Sequence, residues 1–198
     1  IKDIYLETQN NFLETINNNN FLCDNMHNNY LQSLLDEILR KNNIDSKEYK
    51  ILLSKDSEAN AFNLGEGTIV INYGLFLIIE NEDELVFVIS HEIGHQYLKH
   101  AKNQIENFAE VSTSKEIFER TKEIIKQKYT RNTQANSLLK TIKYQKYSER
   151  RKAEIEADSV GLTFYKKTLR NPKSAMTLLE KLDKTNIEKD SLIIEDYK

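Results

Sequence analysis

The segment Asn81-Glu82-Asp83-Glu84-Leu85-Val86-Phe87-Val88-Ile89-Ser90-His91-Glu92-Ile93-Gly94-His95 decides how the rest of the chain is read. Asn81 can cap a helix, and Glu84, three residues on, completes a capping box. The three acids in the first turn complement the positive end of the helix dipole. Leu85, Val88, His95 and Leu98 recur at helical spacing, so the helix is predicted to run to about Ala101. Val86, Phe87, Val88, Ile89 and Ile93 would bury it. At 3.6 residues per turn, His91 and His95 stand one above the other on one face, with Glu92 on the adjoining flank. Two buried imidazoles and a buried carboxylate need partners, and a metal ion supplies them. The bland alternative, two surface histidines on an ordinary helix, is at odds with that apolar setting. Zinc is the expected metal, one per chain. It accepts imidazole nitrogen and carboxylate oxygen, and in catalytic sites it keeps a position open for water. Such a metal lowers the pKa of the water, and Glu92 can take the proton as general base.

A third ligand is expected from another helix. Glu154-Ile155-Glu156-Ala157-Asp158 carries two carboxylates four residues apart, hence on one face. Either Glu154 or Asp158 can bind the metal while the other holds a ligand histidine by its second nitrogen. Ala153, Ala157 and Gly161 are small enough to let this helix lie close against the first. Glu156 is expected in solvent. His100 lies too far along a continuous helix to join His91 and His95, and is read as exposed.

Working outward, Leu31, Leu34, Leu35 and Ile38 mark a helix within residues 1–43, interrupted by the Asn-rich stretch Asn17 to Asn20. Tyr49–Leu53, Ala59–Asn63 and Thr68–Asn72 read as three short strands of a small antiparallel unit over 48–73, with a two-glycine turn at Leu64-Gly65-Glu66-Gly67. Leu75–Ile79 reads as a short buried helix. Residues 102–146 read as a charged helical insertion in two pieces with a turn at Thr130–Asn136. Residues 148–169 form the third-ligand helix, and a C-terminal helix starts at Pro172 and runs to about Leu182, followed by a tail. The expectation is a single domain over 1–198, mostly α with a small β-sheet (α+β).

Composition bounds the partners. Residues 1–100 hold 7 basic and 16 acidic residues, residues 101–152 hold 13 and 6, and residues 153–198 hold 8 and 9. The basic middle could meet an anionic surface, but acids are interleaved among its lysines and aromatic residues are few, so nucleic-acid binding is not expected. The apolar run Leu75–Ile79, which no uncharged apolar run in the chain exceeds, is far short of a membrane span. The single cysteine, Cys23, excludes an internal disulfide framework and a Cys-rich zinc site. The chain opens at Ile1 without an initiator Met and reads as trimmed. The compartment would be the cell envelope or the exterior if a signal segment was removed, and the cytoplasm otherwise.

In order along the chain stand Asn60-Ala61-Phe62, Gly67-Thr68-Ile69-Val70-Ile71, Gly74-Leu75, Glu82-Asp83-Glu84-Leu85, His91–His95, Tyr147-Ser148, Glu154–Asp158 and Gly161. This ordered set resembles the CaaX-prenyl-protease/HtpX-type zinc metallopeptidases (metallopeptidase family 48, within the gluzincins), in their soluble, minimal branch, from about Ile51 to Leu182. The resemblance implies a zincin-like fold with an edge strand above the cleft. It implies zinc ligands His91, His95 and Glu154, the base Glu92, and Asp158 orienting His91. Asn60, Ala61, Phe62 and Asn63 would bind a polypeptide substrate as an added β-strand. Segment 102–146 departs from the family pattern, and no oxyanion donor is assigned, although Tyr144, Tyr147 and Tyr165 are candidates. The expected function is a soluble zinc-dependent endopeptidase. The alternative is a zinc-bearing peptide holder or chaperone with weak or self-inhibited proteolysis.

Overall fold

The computed structural model describes residues 21–22, 25–65, 67–127 and 131–182. The features expected at Asn17–Asn20, at Cys23 and in the tail lie outside them. Helix α1 (Asn25–Lys41) is followed by strands β1 (Lys50–Ser54), β2 (Ala61–Gly65) and β3 (Thr68–Asn72) and a 3₁₀ turn at Tyr73–Leu77. Then come α2 (Glu82–Tyr97), α3 (His100–Thr113), α4 (Lys115–Lys126), the long α5 (Arg131–Lys167) and α6 (172–182).

The three strands form one sheet in the order β1-β3-β2. β3 pairs antiparallel with β2 but parallel with β1, so the sheet is mixed rather than the antiparallel unit expected from the sequence. The β2–β3 connection is a tight hairpin, whereas β1 reaches the far side of β3 across the loop that precedes β2. Alternating apolar residues report burial, not strand direction, so parallel and antiparallel pairings leave the same trace. Central β3 is buried throughout. Between Asn63 and Gly65 the β2 register shifts by one residue, a bulge that bends the edge strand.

Helix α2 is the centre of the molecule. Asn81 caps it, its side-chain oxygen accepting from the Glu84 N–H at 3.0 Å. Glu84 does not turn back onto Asn81. Its carboxylate accepts from the Glu80 N–H at 2.9 Å and pairs with Lys181 of α6 at 2.8 Å, a satisfied arrangement for a fully buried acid. Leu85, Val86, Phe87, Val88, Ile89 and Ile93 are buried on all sides of the helix, against Leu31, Leu35 and Ile38 of α1, Ile69 and Ile71 of β3, and Phe164 and Tyr165 of α5. A helix apolar all round belongs in a core, and burying each such side chain stabilises by about 1.5–3 kcal/mol.

Two differences from the sequence reading bear on the site. Helix α2 stops at Tyr97 rather than continuing to Ala101, because Lys99 takes a left-handed conformation (φ 55°, ψ 36°) and α3 starts afresh at His100. For a residue with a Cβ that conformation costs roughly 1–2 kcal/mol. Helix α5 is continuous over 37 residues, so no turn separates the last part of the charged segment, from Arg131 on, from the residues around Glu154. In place of a helix over Leu75–Ile79 the chain makes a 3₁₀ turn at Tyr73–Leu77, which buries Leu75 and leaves Leu77 exposed.

Candidate metal centre

Close packing of α2 on α5 builds the site. A Cβ on Gly161 would sit 2.7 Å from the Cα of His91, and one on Gly94 would sit 2.9 Å from the Ala157 carbonyl oxygen. Only residues without side-chain bulk allow this approach, and it brings the acidic turn of α5 over the two histidines.

His91 and His95 present their Nε2 atoms 3.0 Å apart, and each lies 3.4 Å from Oε2 of Glu154. The three converge as one potential donor set. Ligands bound to zinc at about 2.0–2.2 Å in tetrahedral geometry lie roughly 3.3–3.5 Å from one another. Two imidazoles and a carboxylate, with room for a fourth partner on the open side, therefore fit zinc by donor type and by spacing. Asp158 Oδ1 stands 2.9 Å from Nδ1 of His91, which directs Nε2 toward the same point.

Glu92 is buried on the wall of the cleft next to this triad. Burial pushes its carboxyl above the usual carboxylate range, opposed by the neighbouring His91 and His95. Burial pulls His91 down, but its hydrogen bonds to Asp158 and Glu154 and the nearby Glu92 more than reverse this and push it up to about 10. Glu154 is held far below the carboxylate range by its hydrogen bonds to His91 and His95. A carboxylate that ionised beside two imidazoles is a ready cation ligand.

The cleft has a volume of about 710 Å³. Asn60, Ala61, Phe62 and Asn63 form one wall, from β2 and the residue before it, and the Asn63 amide reaches the Glu92 carbonyl at 3.5 Å. Among the described residues β2 pairs only with β3, so its other edge carries no strand. Leu178, Leu179 and Leu182 of α6 form the facing wall.

The sequence reading missed two neighbours of the site. His100 is buried, not exposed. Its Nδ1 lies 3.0 Å from Nδ1 of His95, and its Nε2 lies 3.2 Å from Oε2 of Glu156, which is therefore engaged rather than merely solvated. Burial lowers the His100 pKa. Arg150, one turn before Glu154 on α5, lines the cleft. The tyrosines considered as oxyanion donors are elsewhere. Tyr144 and Tyr147 are exposed, and Tyr165 is buried with its hydroxyl donating to the Asn171 carbonyl at 2.7 Å. An arginine at i−4 from a candidate ligand was the available signal for Arg150.

Residues 25–192 match the family model described as Peptidase family M48. The chain belongs to peptidase family M48. The match begins at Asn25, so α1, whose leucines fill the core, is part of the M48 domain. Among curated relatives, the chain is 27% identical over 141 residues to the mitochondrial metalloendopeptidase OMA1 of Arabidopsis thaliana, covering 71% of this chain and 27% of that protein. It is 26% identical over 154 residues to the protein of the same name from Schizosaccharomyces pombe, covering 78% of this chain and 43% of that protein. A putative beta-barrel assembly-enhancing protease of Vibrio cholerae is 29% identical over 93 residues, covering 47% of this chain and 19% of that protein. The M48 chain thus spans less than half the length of these relatives. No helix among its described residues is long and apolar enough to cross a membrane.

Proposed function

We propose that this M48 chain is a zinc-dependent endopeptidase, with His91, His95 and Glu154 holding the metal and Glu92 acting as general base. The observation that carries this reading is the convergence of two imidazole nitrogens and one carboxylate oxygen, 3.0–3.4 Å apart, beside a buried glutamate at the wall of an open cleft. Zinc held there would polarise a peptide carbonyl and acidify the neighbouring water. Glu92 accepts a proton from the attacking water and returns it to the leaving amine. Its raised pKa brings it nearer the working range for both transfers. Asp158 fixes His91 with its Nε2 lone pair toward the cation.

An extended polypeptide is the substrate class that suits the cleft. The edge of β2 that carries no strand among the described residues would offer main-chain donors and acceptors to a peptide that adds as a strand, with α6 lining the other side of the cleft. Because such binding is through the backbone, many sequences would be accepted and side-chain selectivity would come from the apolar wall. Digestion of an unfolded, casein-like protein with added zinc tests the reading. Glu92→Gln should keep zinc and lose about 10²–10⁴ in kcat. Equal cleavage by wild type and Glu92→Gln would overturn it.

A further inference from the structure

We propose that His100 and Glu156 form a hydrogen-bonded relay that sets the tautomer and ring orientation of His95, making both of them positioning residues for the metal. This rests on the metal reading above and deepens it. Each histidine of the candidate set has a second ring nitrogen, and the partner of that nitrogen decides which lone pair faces the metal. For His91 the partner is Asp158. His95 has no carboxylate in that position. Its Nδ1 faces Nδ1 of His100 at 3.0 Å, and the far side of His100 faces Glu156 at 3.2 Å.

One proton arrangement satisfies both contacts and leaves His95 able to bind. An ionised Glu156 only accepts, so His100 donates from Nε2. A neutral His100 then has its lone pair on Nδ1 and accepts the proton of His95 Nδ1. That leaves the lone pair of His95 on Nε2, the nitrogen that lies 3.0 Å from Nε2 of His91 and 3.4 Å from Glu154. The reverse tautomer of His100 would put a proton on the metal side of His95.

The backbone supplies an independent argument. On a straight helix His100, five residues past His95, would project about 140° round the axis from it. The left-handed turn at Lys99 breaks that geometry and brings the His100 ring back, edge to face, against His95 at 5.0 Å between ring centres. A strained residue beside a candidate ligand points to a function for what it positions.

Chelator competition on the full chain measures the zinc affinity of wild type, His100→Leu and His100→Gln. Nitrogen-detected imidazole NMR of the zinc-free wild type reads the His95 tautomer. Leu fills the space without an acceptor, whereas Gln can accept from His95 and donate to Glu156. His100→Leu should weaken zinc about tenfold or more, His100→Gln should recover most of that loss, and wild-type His95 should carry its proton on Nδ1. Affinity of His100→Leu within about twofold of wild type overturns the relay. So does an equal loss in both variants, which would mean packing alone. A His95 protonated on Nε2 overturns it even if His100→Leu does not fold. Failure of the wild type to bind zinc overturns the metal reading together with the relay.

Discussion

Helix α5 passes through two environments in one unbroken run. From residue 132 to Lys152 none of its described side chains is buried, and Leu139, Tyr144 and Tyr147 stand in solvent. From Ala153 to Tyr165 it buries Ala153, Ala157, Gly161, Phe164 and Tyr165 against the centre of the molecule. The inner half packs on α2, and the outer half meets α4, a helix with no buried residue. Backbone hydrogen bonding is the same in both halves, so it does not account for the difference. The small residues Ala153, Ala157 and Gly161 do. They let two helices approach until side chains from opposite elements can converge on one point, and that convergence is what distinguishes a site from a surface. The outer half rests on helix propensity and its contact with α4, so it belongs to the low-stability end of the molecule.

Breaking the inner contact should have the largest effect. Gly161→Val forces a Cβ into the His91 backbone at 2.7 Å, where nothing flexible can yield. A loss of about 3 kcal/mol or more in urea unfolding is expected, with loss of zinc binding. Leu139→Ala on the outer half, at an exposed position, should stay within about 0.5 kcal/mol. Equal effects would dissolve the distinction between the halves. Metal removal sharpens the same comparison. Zinc at a hundredfold excess over its Kd adds about 2.7 kcal/mol to the state that binds it. EDTA should lower the Tm accordingly and deprotect the amides of α2 and inner α5 in hydrogen exchange, leaving those of α4 unchanged.

A smaller effect is expected at the other end of α5. Just beyond it, Arg170 joins Glu37 of α1 at 3.0 Å and Glu82 and Asp83 of α2 at 2.6 and 3.2 Å. Arg170→Met leaves three acids together and should cost about 1–2 kcal/mol, discounted because the carboxylates are partly solvated. The hydrogen bond from Tyr30, then that from Arg170, holds Glu82 below its ordinary value of 4.5. Its contribution is therefore complete above that pH and is lost as the pH falls through the lower folded value. Thermal melts of wild type and Arg170→Met should converge on acidification. A gap constant down to the acid limit would refute the clamp.

Much of this arrangement was legible in the residues. Leu31, Leu34, Leu35 and Ile38 mark the face of α1 that packs on the core, and Asn81 marks the start of α2. The i,i+4 spacing of Glu154 and Asp158 puts them on one face of α5, toward His91. Three features were not legible, each for a physical reason. Strand direction in the β1–β3 pair is a tertiary choice that leaves the alternation of side chains unchanged. Helix α4 ends at Lys126 and α5 begins at Arg131, so residues 131–136 of the turn expected at Thr130–Asn136 are already helical; no glycine or proline in that polar run marks where the helix starts. The position of His100 depends on a single dihedral at Lys99, a residue with no preference for positive φ.

Lys99 is also where the chain leaves the core for the charged segment, since α2 ends before it and α3 leads on to α4 after it. This makes it the subtlest place to test the comparison. Glycine takes φ near 55° without the Cβ penalty of roughly 1–2 kcal/mol, but loses roughly 0.5–1 kcal/mol more backbone entropy on folding. Lys99→Gly should therefore stabilise the chain by about 0.5 kcal/mol and leave zinc affinity unchanged, because the turn that carries His100 is kept. Lys99→Val acts in the opposite sense. A β-branched residue resists positive φ, favours continuing α2 past Leu98, and carries His100 round the helix away from His95. Paired melts and chelator titrations of the two variants separate the possibilities. If both bind zinc as wild type does, the turn only connects α2 to α3. If Lys99→Val alone loses affinity while its Tm falls by no more than about 1 kcal/mol would produce, the turn itself is part of what holds the metal centre together.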